Sequence, residues 1–248
     1  MLGYVCCDAD GVRPAFGRRQ ILGCIFVELR LPKRRRPEGL WAGRQAAAAA
    51  GRMREMGVRR AIFPVEFPHI SRFALQGICP VDPLPLRCAL VPHLVRERLS
   101  AAGRDPREVR IAITGRHMTP ALAEITQDFA IRYRHVILDV STGGEELARM
   151  LRREYGISLL LQPAAEQLEQ ADVLLLFHPR EDLTRTNPIC YGLYSGGHEG
   201  WTESLWQLPA ALEKCDVPEG CAEQLLAALY AAGVLSLEDI LVKIRLTE

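Results

Sequence analysis

Apolar and polar positions alternate along this chain in two rhythms. From about residue 108 the pattern is regular. "EVRIAITG" (108–115) reads as a strand, "TPALAEITQDFAIRY" (119–133) as a helix, "HVILDV" (135–140) as a strand and "GEELARMLRREYG" (144–156) as a helix. "ISLLLQ" (157–162), "AAEQLEQA" (164–171) and "DVLLLFHP" (172–179) continue as strand, short helix and strand. Short apolar runs alternating with amphipathic runs predict parallel strands joined by crossover helices, hence a three-layer, mostly parallel α/β sheet.

The N-terminal third is less regular. "GYVCCD" (3–8) and "ILGCIFVELRL" (21–31) read as strands, separated by "ADGVRPAFGRRQ" (9–20), whose Gly and Pro mark a turn. "PEGLWAGRQAAAAAGRMREMG" (37–57) reads as a helix closed by Gly57, and "VRRAIFP" (58–64) as a strand. "VDPLPLRCALVPHLVRERLSAAG" (81–103) predicts a helix with Asp82 as N-cap, Pro83 at the first helical position, a kink or break at Pro92 and a stop at Gly103. The C-terminal part reads as helices over "ESLWQLPAALEKC" (203–215) and "CAEQLLAALYAAG" (221–233), with a last strand "DILVKIRL" (239–246). The seam "RDPRE" (104–108) divides an N-terminal α/β portion, 1–105, from a second portion, 106–248, or merely two elements of one continuous domain.

Composition narrows the function classes. The chain has 248 residues, 48% of them hydrophobic, enough for one large α/β domain or two small ones. The formal net charge is +1, so there is no global electrostatic case for nucleic acid. No apolar run approaches about 18 residues, and the N-terminus shows no signal-peptide pattern, so a soluble cytoplasmic, bacterial-type protein without a membrane partner is expected. A homo-oligomer is compatible with these features. The eight cysteines have mostly apolar neighbours and no Cys-x-x-Cys spacing, so buried free thiols are expected, with no disulfide and no metal site. His178 and His198, with Glu199 or Asp182, match no metal-ligand spacing. "KRRR" at 33–36 reads as a short basic loop.

The chemistry turns on "ILDVSTGGEELARMLRREYG" (137–156), a strand ending near an acid, a small-residue turn and an amphipathic helix. It resembles the first motif of Rossmann-fold methyltransferases: Asp139 and Gly143 fit, Ser141 is a tolerable change and Glu145 departs. It also resembles the first βαβ of dinucleotide-binding domains, with G-x-G-x-x-G falling on Asp139, Ser141 and Gly144, so one glycine of three is kept. Gln162 stands where the next strand should end in a ribose-binding acid. The resemblance implies a degenerate Rossmann-like second half, with a dinucleotide or S-adenosylmethionine as the implied cofactor if the protein is an enzyme. The same letters also spell a helix cap. Thr142 and Glu145 match a capping box, and Leu147, Ala148, Leu151 and Tyr155 form one apolar stripe.

Open parallel sheets take ligands outside the carboxyl ends of their strands. Those ends carry "TGRHMT" (114–119), "DVSTGG" (139–144), "FHPRED" (177–182) and "YSGGHEG" (194–200). Gly115, Arg116, Ser141, Thr142, Gly143, Gly144, His178 and Arg180 are the candidate ligand-binding residues, and His117, Ser195 and His198 share the expected rim. Arginine beside helix N-termini points to a small anion. Two readings follow: a non-catalytic binding or scaffold protein for a small anionic ligand or protein partner, or an enzyme using a dinucleotide or S-adenosylmethionine at that edge. No residue pattern assigns a catalytic group.

Overall fold

The computed structural model describes residues 1–8, 13–32, 40–202, 206, 209, 212, 215, 217 and 220–240. The expected helix at 203–215, strand at 239–246 and basic loop at 33–36 lie wholly or mostly outside these. Two compact units emerge, Met1–Pro83 with Trp206–Leu241, and Leu84–Leu205 with Val242–Glu248. Among the described residues, no helix is long and apolar enough to cross a membrane.

The first unit holds a five-stranded sheet ordered β2-β3-β1-β4-β5, built from β1 (Leu2–Asp8), β2 (Ala15–Ile21), β3 (Cys24–Pro32), β4 (Arg60–Ile62) and β5 (Cys79–Pro80). All pairs are parallel except β2 with β3. The expected turn and second strand are redrawn here. Residues 15–20 belong to a strand, and the reversal falls inside "ILGC", where Leu22 (φ 47°) and Gly23 (φ 83°) form the two-residue left-handed turn that suits the twist of a hairpin. α1 (Leu40–Glu55) buries Ala46, Ala49, Ala50 and Met53 against Val5, Val27 and Leu29. Gly57, at φ 82°, follows it. α2 (Ile70–Leu75) buries Phe73, which packs edge-on against Phe63 at 5.1 Å. α7 (Ala222–Ala231) serves β4 directly. The Gln224 carboxamide accepts from Phe63 N–H at 3.0 Å and donates to Phe63 C=O at 3.2 Å, as a neighbouring strand would.

The second unit begins with α3 (Leu84–Ala101), so the division falls ahead of the expected seam at 104–108. The reason is packing, since α3 lies against α4 (Pro120–Arg132) and β10 (Ile189–Gly192). α3 starts after Pro83 and runs unbroken through Pro92, with Val91, Leu94 and Val95 buried around the proline. The sheet is wholly parallel, ordered β10-β9-β6-β7-β8, with β6 (Arg110–Gly115), β7 (His135–Val140), β8 (Leu160–Leu161) and β9 (Val173–Leu176). Counted along this unit, the order is third, second, first, fourth, fifth, the Rossmann-like arrangement. β10 was not expected as a strand, and β8 is two residues long.

Crossovers cover the two faces unequally. α4 and α5 (Gly144–Tyr155) lie on one face: a Cβ at Gly115 would stand 2.2 Å from Leu122, and one at Gly144 would stand 2.8 Å from Val140. The other face, with Ala112, Ile137, Leu174 and Leu176, is covered by Leu168 of the short α6 (Ala165–Glu169) and by Leu183. The β9–β10 connection carries no helix. Asn187 fixes it by donating to the carbonyls of Leu168 (2.8 Å), Ala171 (2.8 Å) and Glu169 (3.2 Å), groups left open where α6 ends.

Among the cysteines only Cys221 is buried, while Cys7 and Cys79 are exposed, because they stand at strand ends rather than in strand centres.

The Gln224 amide stabilises the end of β4 by hydrogen bonding. Both Gln224→Ala and the length-matched Gln224→Met are expected to cost about 1–2 kcal/mol in urea unfolding, and an unaffected Met variant would show that packing alone holds this junction.

Candidate functional site at the carboxyl edge of the second sheet

The topology brings the sequence-derived candidates to one edge. Gly115 pairs with Val140 in register, Ser141 follows directly, and Thr114 is flanked by Asp139 on β7 and Leu176 on β9. Phe177 N–H donates to Thr114 C=O at 2.8 Å, so His178 begins its loop beside the end of β6. Two further bonds stitch the first loops together. Ser141 N–H donates to Arg116 C=O (3.2 Å), and Met118 N–H donates to Thr142 C=O (3.1 Å). Arg116, Ser141, Thr142, Gly143, His178 and Arg180 thus share the carboxyl edge, with Gly115 and Gly144 buried beneath it. His117, Ser195 and His198 remain exposed on their loops.

The capping box does not form. α5 is capped by Gly143 in the left-handed region (φ 85°) with no side-chain cap bond, and Thr142 gives its carbonyl to Met118 instead. Met118 Cβ would lie 2.7 Å from a Cβ at Gly143, so glycine is required there for both backbone and space. The apolar stripe holds at Leu147 and Leu151, but Tyr155 is exposed at the helix end. α4 does carry a side-chain cap: Thr119 Oγ1 accepts from Leu122 N–H at 3.2 Å.

β7 is also the second strand of this sheet, not the first, so the fingerprint position of a dinucleotide fold falls on the loop after β6, "GRHMTP". Gly115 occupies the first glycine position there, while His117 and Pro120 stand where the others would be. Asp139, one residue from the end of the second strand, stands at the position where a dinucleotide fold would carry its ribose-binding acid, a position that the sequence alone puts near Gln162.

Asp139 is engaged. Arg180 Nη1 contacts its Oδ2 at 2.5 Å, while Arg180 Nε and Nη2 make paired 2.7 Å bonds to Asp182. Arg180 comes from the loop after β9 and Asp139 from β7, with β6 between them, so the guanidinium spans the carboxyl end of β6. Its side chain is only 16% exposed. The Arg180 carbonyl accepts from Arg185 Nη2 at 3.0 Å, and Arg185 pairs with Glu199, which also accepts from Tyr194 Oη at 2.9 Å.

Electrostatics follow this wiring. Hydrogen bonding to Arg180 holds the Asp182 carboxyl down at about 2. Burial, then the charges of Arg180 and Arg116, push His178 below the usual histidine value, and its Nδ1 is buried without a hydrogen-bond partner. Thr114 Oγ1, fully buried in register with Asp139, is likewise unpartnered. Glu199 stays below the usual carboxylate range: burial opposes this, but backbone donors, Tyr194 and Arg185 together outweigh it. Among the described residues Arg116 is an exposed cation with no carboxylate partner. A cleft of about 500 Å³ opens beside β7 and β8, lined by Ser141, Thr142, Gly143 and Gly144 but also by Glu145, Glu146, Arg149 and Gln162. The two glutamates in the first turn of α5 oppose an anion at Gly143 and Gly144.

The carboxyl of Asp182 is charged more readily in the folded chain than at its ordinary value of 3.8. Its contribution is therefore full above about pH 4 and is lost as pH falls through about 2. Denaturant unfolding of wild type and Asp182→Asn is expected to differ by a constant amount above pH 5, with the gap closing between pH 4 and 2. A gap independent of pH would show that Asp182 is not the titrating partner of Arg180.

No family model matches the chain, and no curated protein matches it. Among solved structures, the crystal structure of L-tryptophan dehydrogenase from Nostoc punctiforme is similar at 13% identity and a TM-score of 0.28, over 60% of this chain and 44% of that chain. The chain thus spans less than half the length of that structure, and the fold is established by the strand order and pairing described above.

Proposed function

We propose that the second unit is a degenerate Rossmann-like binding module without catalysis, whose carboxyl edge takes a small anion at Arg116 rather than a dinucleotide. The observation that carries this reading is the Arg180 bridge. It lies across the end of β6, where a dinucleotide fold leaves room for pyrophosphate, and it occupies the acid that would hold a ribose. His117 and Pro120 in place of glycines act in the same direction. One guanidinium meeting two carboxylates leaves one excess negative charge on the Arg180 bridge, and Arg116, beside Ser141, Thr142 and the N-terminus of α4, is an exposed cation outside that bridge. His178, held neutral, adds a ring nitrogen that can donate or accept.

A second reading, an enzyme using a dinucleotide or S-adenosylmethionine, is favoured by one feature, the acid Asp139 near the end of the second strand. It requires Arg180 to leave Asp139.

Calorimetric titration of the chain with inorganic phosphate, AMP, NAD, NADP and S-adenosylmethionine separates the two. Under the first reading phosphate binds, weakens with added salt and is lost in Arg116→Ala, whose melting temperature stays near wild type. NAD, NADP and S-adenosylmethionine give no saturable heat. Saturable binding of any of these three, tightened in Arg180→Ala, would overturn it in favour of the enzyme.

A further inference from the structure

The first unit carries a cavity that the sequence did not single out. It measures about 340 Å³ and is lined by Cys7 at the end of β1, Leu31 and Pro32 at the end of β3, Ala42 and Gln45 of α1, and the segment Pro64–His69 after β4. These are the carboxyl ends of three neighbouring parallel strands, and β1 is the strand at which the chain order reverses, with β3 to one side and β4 to the other. Open α/β sheets bind ligands at that place, and the volume falls within the range of small-molecule pockets.

The wall is mainly apolar, from Leu31, Pro32, Val65 and Phe67, with Gln45 and His69 adding hydrogen-bonding groups. Phe67 and His69 meet edge to face at 5.7 Å. Among the described lining residues the charged side chain is Glu66, and its backbone is unusual. Phe67 N–H closes a turn onto Pro64 C=O at 3.3 Å, and Glu66 occupies the third position of that turn with φ 55°. Glycine or asparagine favours that conformation, and a glutamate there carries strain. The segment is held from behind: Gln224 fixes Phe63, Cys221 Sγ donates to Phe63 C=O at 3.5 Å, and Gly220 packs so closely on Val65 that a Cβ would stand 2.1 Å from its Cγ2. A strained carboxylate on a braced rim, over an apolar cavity, fits a ligand with a ring-sized apolar body and a cationic head.

We propose that this cavity is a binding site for a small apolar molecule bearing an amine, with the amine paired to Glu66. It is independent of the anion reading of the second unit. The probes are phenethylamine and its acidic counterpart phenylacetate, titrated calorimetrically into the full chain. Phenethylamine is expected to bind at one site and phenylacetate more weakly. Glu66→Gln is expected to weaken the amine roughly threefold to fivefold, the scale of a partly exposed ion pair. Glu66→Gly is expected to weaken it similarly while raising the melting temperature, because the strain is relieved. Ala42→Phe, which fills the cavity, is expected to abolish binding, and Arg116→Ala is expected to leave it unchanged. Absence of saturable phenethylamine binding, phenylacetate binding as tightly as the amine, or an undiminished affinity in both Glu66 variants would overturn the proposal.

Discussion

The carboxyl edge of the second sheet is organised by one guanidinium. Arg180 joins an acid on the second strand to an acid on its own loop, across the end of the first strand. Planar, always charged and able to donate in several directions, arginine is the side chain suited to tie two carboxylates at once. Partial burial matters: with 16% of Arg180 and 28% of Asp139 exposed, neither is fully hydrated, so removing either partner leaves a poorly solvated charge. The loop that supplies Arg180 has no helix of its own. It is held by Asn187 on the end of α6 and by the Arg185 and Glu199 pair, and those contacts set the position from which Arg180 reaches Asp139.

A second constraint acts beneath it. Backbone donors that would be free for a ligand in an open nucleotide loop are partly spent on the chain itself. Ser141 N–H goes to Arg116 and Met118 N–H to Thr142, so the turns after β6 and β7 form one stitched rim. That stitching explains the failure of the capping box. For Thr142 to cap α5 it would need to stand one residue from the helix, but Gly143 intervenes in a left-handed conformation and Thr142 is turned toward the neighbouring loop. Local propensity and a tertiary bond competed, and the tertiary bond prevailed because glycine made the alternative backbone inexpensive.

Much of the architecture was legible from periodicity. The strand and helix alternation after residue 108 reads correctly because each crossover helix has one apolar face and each central strand carries a short apolar run, complete in β9, where all four residues are buried. What periodicity lacks is order in space. Nothing in "HVILDV" says that it pairs between β6 and a two-residue β8, and so the motif was set on the first strand when it belongs to the second. Short elements were lost for the same reason, since β10 spans four residues and β5 two. The hairpin at Leu22 and Gly23 was hidden because leucine is a poor marker for a left-handed turn. The convergence of Gly115, Arg116, Ser141 and His178 on one edge was readable, because parallel strands with right-handed crossovers leave their carboxyl ends together. The pairing of Arg180 with Asp139 was not, because the two lie 41 residues apart in sequence.

The two sheets obey one topological rule and meet it with different chemistry. In the second, the edge beyond β6 is polar and largely self-satisfied. Its acids are paired, and its buried exceptions, Thr114 Oγ1 and His178 Nδ1, are neutral groups that tolerate poor solvation better than a charge would. In the first, the edge beyond β1, β3 and β4 holds an apolar cavity whose strained rim is braced by Gln224 and Gly220. Strain that persists in a folded chain must be over-determined by its surroundings, and the braces on Phe63 and Val65 supply that at Glu66. An edge whose charged groups are already engaged with one another gains little by taking up a large charged cofactor, because each new contact must first break an existing one. The apolar wall of Leu31, Pro32, Val65 and Phe67 offers area whose burial does not require a charged contact to be broken first. The physical case for ligand capture is therefore strongest where the sequence shows no motif, and weakest where the sequence most resembles one.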